Sequence, residues 1–317
     1  MKVKIIVLKN FLIRLLVKGF MAFYFFGCTP SISKSTDSSS RAPSDTAAAV
    51  PIVPIWNPIV HPAPVVAKIF AAQIKNFASS STCAQFSFAN RGQAPQGYIK
   101  GMALSYARSL CRIKAPGLTK PGASVLASAN SQNANKDILA HYQNLLSPLG
   151  LITDTSGTGP LEATYTVGIG LGMRESSGQH CEGWDTGAGS NRPSDEAEAG
   201  LFQVSYNSVS ASAELKKLYD EYQADPSRCL LDVFSEGVSC HTQSILGTGA
   251  GADYQKFNKI CPAFAAEYAM TLVRVLRTHF GPLNRKEAQV VPECQSMLSH
   301  VRQIVEQDPE VVCNELF

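Results

Sequence analysis

The sequence predicts a mainly α fold. A helical bundle, stapled by disulfides, surrounds one central helix, with a small β-hairpin insert near the middle (an α+β layout). Three observations predict it. Apolar residues recur at helical spacing after residue 65, and no long alternating strand occurs. Eight cysteines, Cys83, Cys111, Cys181, Cys229, Cys240, Cys261, Cys294 and Cys313, run through the same part of the chain. Their even number suits a disulfide framework in an exported protein. From residue 176 to 200 the chain turns to Gly, Ser, Asp and Glu, which marks loops and a short hairpin.

The 317 residues are 45% hydrophobic and 17% charged, too apolar for a disordered chain and too poor in charge for a coiled coil. Residues 1–27 carry five bases (Lys2, Lys4, Lys9, Arg14, Lys18) and no acid. Of the 28 basic and 25 acidic residues, 23 basic and 25 acidic remain after that segment, a balance of −2. This leaves no electrostatic footprint for nucleic acid. The basic start, the uncharged stretch Gly19–Gly27 and the small residue before Cys28 read as an export signal over 1–27. The stretch is far short of the roughly 20 apolar residues of a membrane span.

Phe25-Phe26-Gly27-Cys28 resembles the lipobox of bacterial lipoproteins, in which the Cys is lipidated. Phe stands at two positions where that family has Leu and a small residue. An ordinary secretory signal with Cys28 incidental is the alternative. Residues 28–65 are rich in Ser, Thr, Ala and Pro and form a linker with too little to bury. A lipid anchor followed by such a spacer would hold the domain 66–317 at a membrane, in the periplasm or cell envelope. Without the anchor the protein would be secreted.

Candidate helices follow in order: Val65–Phe77, Gly97–Leu110, Asp137–Leu146, Thr164–Met173, Ser210–Tyr222, Pro262–Phe280 and a stretch within Lys286–Val305. The sixth is the clearest. Phe264, Tyr268, Leu272, Val275 and Leu276 share a face, and Gly281-Pro282 stops it. Cys83 with Cys111 is the expected local disulfide. No Cys-x-x-Cys pair occurs and the six His are scattered, so no metal is expected.

Thr166–Gly178 carries the candidate chemistry. Gly168, Gly170 and Gly172 do not make a nucleotide loop, because no strand precedes them and no Lys-Ser/Thr follows. They read instead as small residues that let another backbone come close. Glu175 then ends the helix, with Gly178 as a stop. The negative end of the helix dipole and the apolar neighbours Leu171 and Met173 raise its pKa, as a general acid near neutral pH requires. A solvated helix-end Glu is the alternative.

Downstream come Glu182-Gly183-Trp184-Asp185 and Gly200-Leu201-Phe202-Gln203-Val204-Ser205-Tyr206-Asn207. The order of these motifs after Glu175-Ser176 resembles the goose-type lysozyme and soluble lytic transglycosylase superfamily. Residues 166–207 carry the resemblance, with a looser match around Tyr268. The cysteines, the signal and the tail His279-Phe280-Gly281-Pro282 also resemble exported lysozymes of predatory bacteria that attack deacetylated peptidoglycan.

The resemblance implies a lysozyme-like catalytic domain. Glu175 would be its acid and Asp185 the carboxylate for water. Ser176, Gln203, Ser205, Tyr206, Asn207 and Tyr268 would be substrate contacts. Ser205 stands where goose-type enzymes have a second acid, which leaves Asp185 alone, or with Ser205 or Asp195, to place water. Tyr206, Asn207 and Tyr268 also read as packing or turn residues. The implied activity is a muramidase without a cofactor, acting as a monomer on peptidoglycan glycan strands. The alternatives are a lytic transglycosylase, a non-catalytic peptidoglycan-binding lipoprotein and a structural, disulfide-stapled surface protein. Residues 174–200 hold six acids (Glu175, Glu182, Asp185, Asp195, Glu196, Glu198) and two bases (Arg174, Arg192), a balance of −4 that favours a cationic, deacetylated glycan.

Overall fold

The computed structural model describes residues 68–114, 120–240 and 244–317. The expected signal segment, the Ser/Pro-rich linker and Cys28 lie outside the described residues. The described chain is mainly helical. Its longer helices are α1 (Ile69–Ser80), α2 (Gln96–Lys114), α3 (Thr158–Ser176), α4 (Ala213–Ala224), α5 (Ala250–Ile260), α6 (Pro262–Val275), α7 (Pro292–Gln307) and α8 (Pro309–Leu316). No described helix is long and apolar enough to cross a membrane.

Three helices, α2, α3 and α6 (buried from Pro262 to Arg274), are buried on nearly every side, which places them at the centre. In α2 all residues from Gly97 to Arg112 except Lys100 are buried, and in α3 all from Pro160 to Met173. The two pack on each other, and α6 and α7 pack on both. Small residues allow the close approach. A Cβ on Gly170 would overlap the backbone of Gln289, and one on Gly172 would overlap the Tyr98 hydroxyl. That hydroxyl donates instead to the carbonyl of Ile169 at 2.7 Å. The glycines in α3 thus serve packing.

Four disulfides join Cys83 to Cys294, Cys111 to Cys313, Cys181 to Cys240 and Cys229 to Cys261. Such a set suits an oxidising compartment. The expected Cys83–Cys111 bond does not form. Cys111 lies near the far end of α2, about 20 Å from its first turn at roughly 1.5 Å per residue, whereas Cys83 lies in the short helix Thr82–Gln85 before it. Each bonds the nearer of the two C-terminal helices, α7 or α8.

Two other expectations are corrected. The helix from Pro262 ends at Val275, not Phe280. Leu276 leaves helical geometry because tertiary bonds draw Arg277 away. The Arg277 amide donates to the carbonyl of Lys136 at 2.9 Å, and its guanidinium reaches Ala134 and Asn284. The mid-chain hairpin shrinks to a single bridge between Ala199 and Val204. The two-stranded ladder lies earlier, β1 (Ser87–Phe88) with β2 (Gly92–Gln93), and its turn presents Arg91.

Candidate active site

The C-terminal end of α3 builds the site. Ser177 takes the left-handed conformation at φ 55° and Gly178 follows at φ 76°. The Ser177 amide donates to Met173 and the Gly178 amide to Gly172, which satisfies the last helical carbonyls. The helix therefore stops one residue earlier than Gly178 alone implies. This fixed end holds Glu175 half-buried at the rim.

The Gly200–Gln203 turn packs beside this end. Gly200 and Gln203 both have positive φ (78° and 48°). The Ser176 hydroxyl donates to the Leu201 carbonyl at 2.8 Å, tying helix to turn. Gln203 donates its side-chain amide to the carbonyls of Gly183 and Gly200. Residues 182–185 lie alongside 198–200, with the Gly200 amide on the Glu182 carbonyl and the Asp185 amide on that of Glu198. Backbone that would have extended the hairpin is used here to bring two acidic segments together.

The result is a cleft in two halves. One, of about 240 Å³, is lined by Glu175, Glu182, Gly183, Trp184, Asp185, Thr186, Glu198 and Gln203. The other, of about 330 Å³, shares Glu175, Asp185, Glu198 and Gln203 and adds the stretch His279–Pro282 with three arginines. Burial pushes the Glu175 carboxyl up to about 8, and the charge of Glu198 adds to this, against Arg285, Arg91 and Arg174. Burial likewise raises Glu198 to about 7, with Asp185 adding and Arg192 opposing. Burial lowers His279 to about 4, so its imidazole is neutral at pH 7. Its Nε2 stands 3.9 Å from a carboxylate oxygen of Glu198. At neutral pH the cleft thus combines a protonated carboxyl, an ionising one and the exposed Asp185.

Of the residues named from sequence, Glu175, Asp185 and Gln203 line the cleft. One oxygen of Asp185 accepts from the Gly187 amide at 2.9 Å and caps a short turn. The others are placed differently. Ser176 is buried with its hydroxyl bonded inside the protein. Ser205 is buried and donates to the Asn207 side chain at 2.8 Å. Tyr206 packs against Tyr219 and Tyr254, and Asn207 is exposed. Tyr268 is 1% exposed, among Tyr254 and Phe264, with its hydroxyl 2.8 Å from that of Ser208. Asp195 is exposed on the turn Ser194–Glu196, outside the cleft lining.

Sequence reasoning missed Glu198 as a site residue. It counted toward the acidic stretch, but its signal as a site is its place just before the Gly-Leu-Phe-Gln turn. That position pairs with 182–185 and faces Glu175's cleft.

A cluster of His180, Cys181 and Cys240 has metal-ligand geometry, but its two sulfurs are bonded to each other. Comparison with family models, with curated proteins and with solved structures finds no match to this chain, so the chemistry of the cleft is read from its own groups.

Proposed function

We propose that this protein is a peptidoglycan glycosidase of the lysozyme type, which hydrolyses the β-1,4 bond between muramic acid and glucosamine residues. One observation carries the reading. Glu175 is a half-buried carboxyl, protonated at neutral pH, in a cleft that holds three further acidic side chains, Glu182, Asp185 and Glu198. Glycoside hydrolysis asks for this division of labour. The protonated Glu175 gives its proton to the glycosidic oxygen as the bond to the sugar carbon breaks. Positive charge grows on the ring, and the neighbouring carboxylates favour it. Glu198 or Asp185, once ionised, takes a proton from the water that adds to that carbon.

The surroundings also support a cationic substrate. The smaller half of the cleft carries four acids and no base. Such a wall concentrates ammonium groups and repels carboxylates, and a deacetylated glucosamine carries an ammonium. The reading therefore includes a preference for deacetylated peptidoglycan. Under the lipoprotein expectation for Cys28, the enzyme would work at a membrane surface.

Mass spectrometry of muropeptides after digestion tests the reading. New reducing ends are expected. Anhydro ends would mean that the muramyl C6 hydroxyl attacks instead of water, a lytic transglycosylase. The absence of any new product would leave a binding protein.

A further inference from the structure

Charge is divided across the cleft. Its two halves meet at Glu175, Asp185, Glu198 and Gln203. On one side the only added charge is Glu182. On the other the added charges are Arg91, Arg174 and Arg285, and the histidine between them is neutral.

The arginines are not neutralised where they stand. Arg174 gives its Nε to one oxygen of Glu287 at 3.0 Å. Arg285 gives Nε and Nη2 to the two oxygens of the same carboxylate at 2.8 and 3.0 Å. One carboxylate thus offsets two guanidiniums. Arg91 is exposed, and it donates through Nη2 to the Arg174 carbonyl at 2.6 Å. Among the described residues no acceptor takes the other donors of Arg91, the Nη groups of Arg174 or Nη1 of Arg285. Two positive charges remain in excess on this rim, with forked donors that match carboxylates. All three arginines act on Glu175, since each pulls its pKa down against the effect of burial.

A wall glycan alternates in the same way. One sugar bears a lactyl ether, which ends in a carboxylate or in a peptide with carboxylates. Its neighbour is an amino sugar that carries an ammonium once deacetylated. We propose that Arg91, Arg174 and Arg285 bind the carboxylates of the lactyl-peptide branch on one side of the scissile bond, while Glu182, Asp185 and Glu198 receive the ammonium of the amino sugar on the other. The inference rests on the glycan reading and extends it. The cleft sets the register of the strand by charge, so that the bond between unlike sugars falls at Glu175. A uniformly cationic or uniformly neutral glycan cannot be set in register this way.

The test measures binding, so that it stands apart from catalysis. The Glu175→Gln variant is titrated by fluorescence polarisation with two labelled, deacetylated strands. One keeps its carboxylates, and in the other they are capped as methylamides. Expected is a roughly five- to twentyfold tighter Kd for the uncapped strand at low salt, shrinking as salt is added. Adding Arg91→Gln and Arg285→Gln should bring the two Kd values together. Both side chains are exposed, so the fold should tolerate the changes. Equal affinities for the two strands in the parent variant would overturn the arginine site, even if wild-type protein digests walls. A retained preference after both substitutions would also overturn it. Preference for the uncapped strand without digestion by the wild type would keep the site and remove the glycosidase reading. Binding of neither strand would overturn both.

Discussion

The amide of Asp185 donates to the carbonyl of Glu198 at 3.2 Å, and this bond places two acids from separate loops beside one another in the cleft. The pairing has an electrostatic consequence. The charge of Asp185 raises Glu198, and the charge of Glu198 raises Glu175. Burial, with these charges added, raises Glu198 to about 7 and Glu175 to about 8.

The pH profile should follow these two values. With Glu198 as the base, kcat/KM rises through about 7 as Glu198 ionises and falls through about 8 as Glu175 loses its proton. Glu198→Gln should remove the acidic limb. It should also move the alkaline limb to lower pH, because the charge that raised Glu175 is gone. An alkaline limb that stays in place in this variant would show that Glu198 does not act on Glu175.

Glu175→Gln should reduce turnover by about 10²–10⁴-fold while keeping the fold. A folded Gln variant with more than a few per cent of wild-type activity would falsify the assignment of the acid.

The same substitution should stabilise the protein at alkaline pH. A folded-state pKa of about 8 lies above the unfolded one of about 4.3. Across that window the unfolded chain has released a proton that the folded chain keeps, so wild-type stability falls as pH rises. The gain for Gln should be on the order of 1–3 kcal/mol near pH 8 and vanish near pH 4, given roughly 1.4 kcal/mol per pH unit reduced by partial exposure. Thermal unfolding of both proteins across this range measures it, and a constant offset would contradict the buried-acid account.

Fully acetylated and enzymatically deacetylated sacculi, digested side by side, should separate at low salt in favour of the deacetylated wall. The difference should narrow at moderate salt, since exposed charges are screened within about 8 Å under physiological conditions. Equal rates at low salt would mean that the acidic wall of the cleft does not select the substrate.

Gly170→Ala should destabilise by about 1–3 kcal/mol despite the better helix propensity of Ala. Its Cβ would meet the backbone of Gln289, which cannot swing aside. Gly168→Ala should cost less, because its Cβ would meet the flexible side chain of Met270. Denaturant melts of the two variants give the comparison, and the reverse order would contradict the packing described for α3.

What was legible in the sequence was local. Glu175 could be found because a run of small and apolar residues ends there in a helix stop. The mainly helical fold could be read from spacing along single segments. Glu198 was marked only by its place just before the Gly-Leu-Phe-Gln turn, because its residue type and local composition do not set it apart; a strand-like contact with residues 182–185 carries it to the cleft. The same holds for the end of α6, which Lys136 decides from another part of the chain. Asp195 and Glu198 have the same local polarity, yet only the second lines the cleft, and burial rather than composition separates them. The cysteine partners were hidden for a related reason. Neighbours in sequence lie at opposite ends of α2, whereas the C-terminal helices return to both.

That return has a mechanical meaning. The bond between Cys83 and Cys294 encloses everything between them, including α3 and the whole cleft. Traction applied at the two ends of the described domain draws out the residues before Cys83 and after Cys313, and between them it runs through 294–313 and, by the Cys111–Cys313 bond, through 83–111. At roughly 3.5 Å per residue the free ends are a short leash, and residues 112–293 stay off the loaded path while both bonds are intact. A protease that nicks one exposed loop inside the enclosed segment likewise releases no fragment while the bond is intact. If the chain is held at its N-terminal side and strained against a wall, Glu175, Asp185 and Glu198 lie off the line of tension.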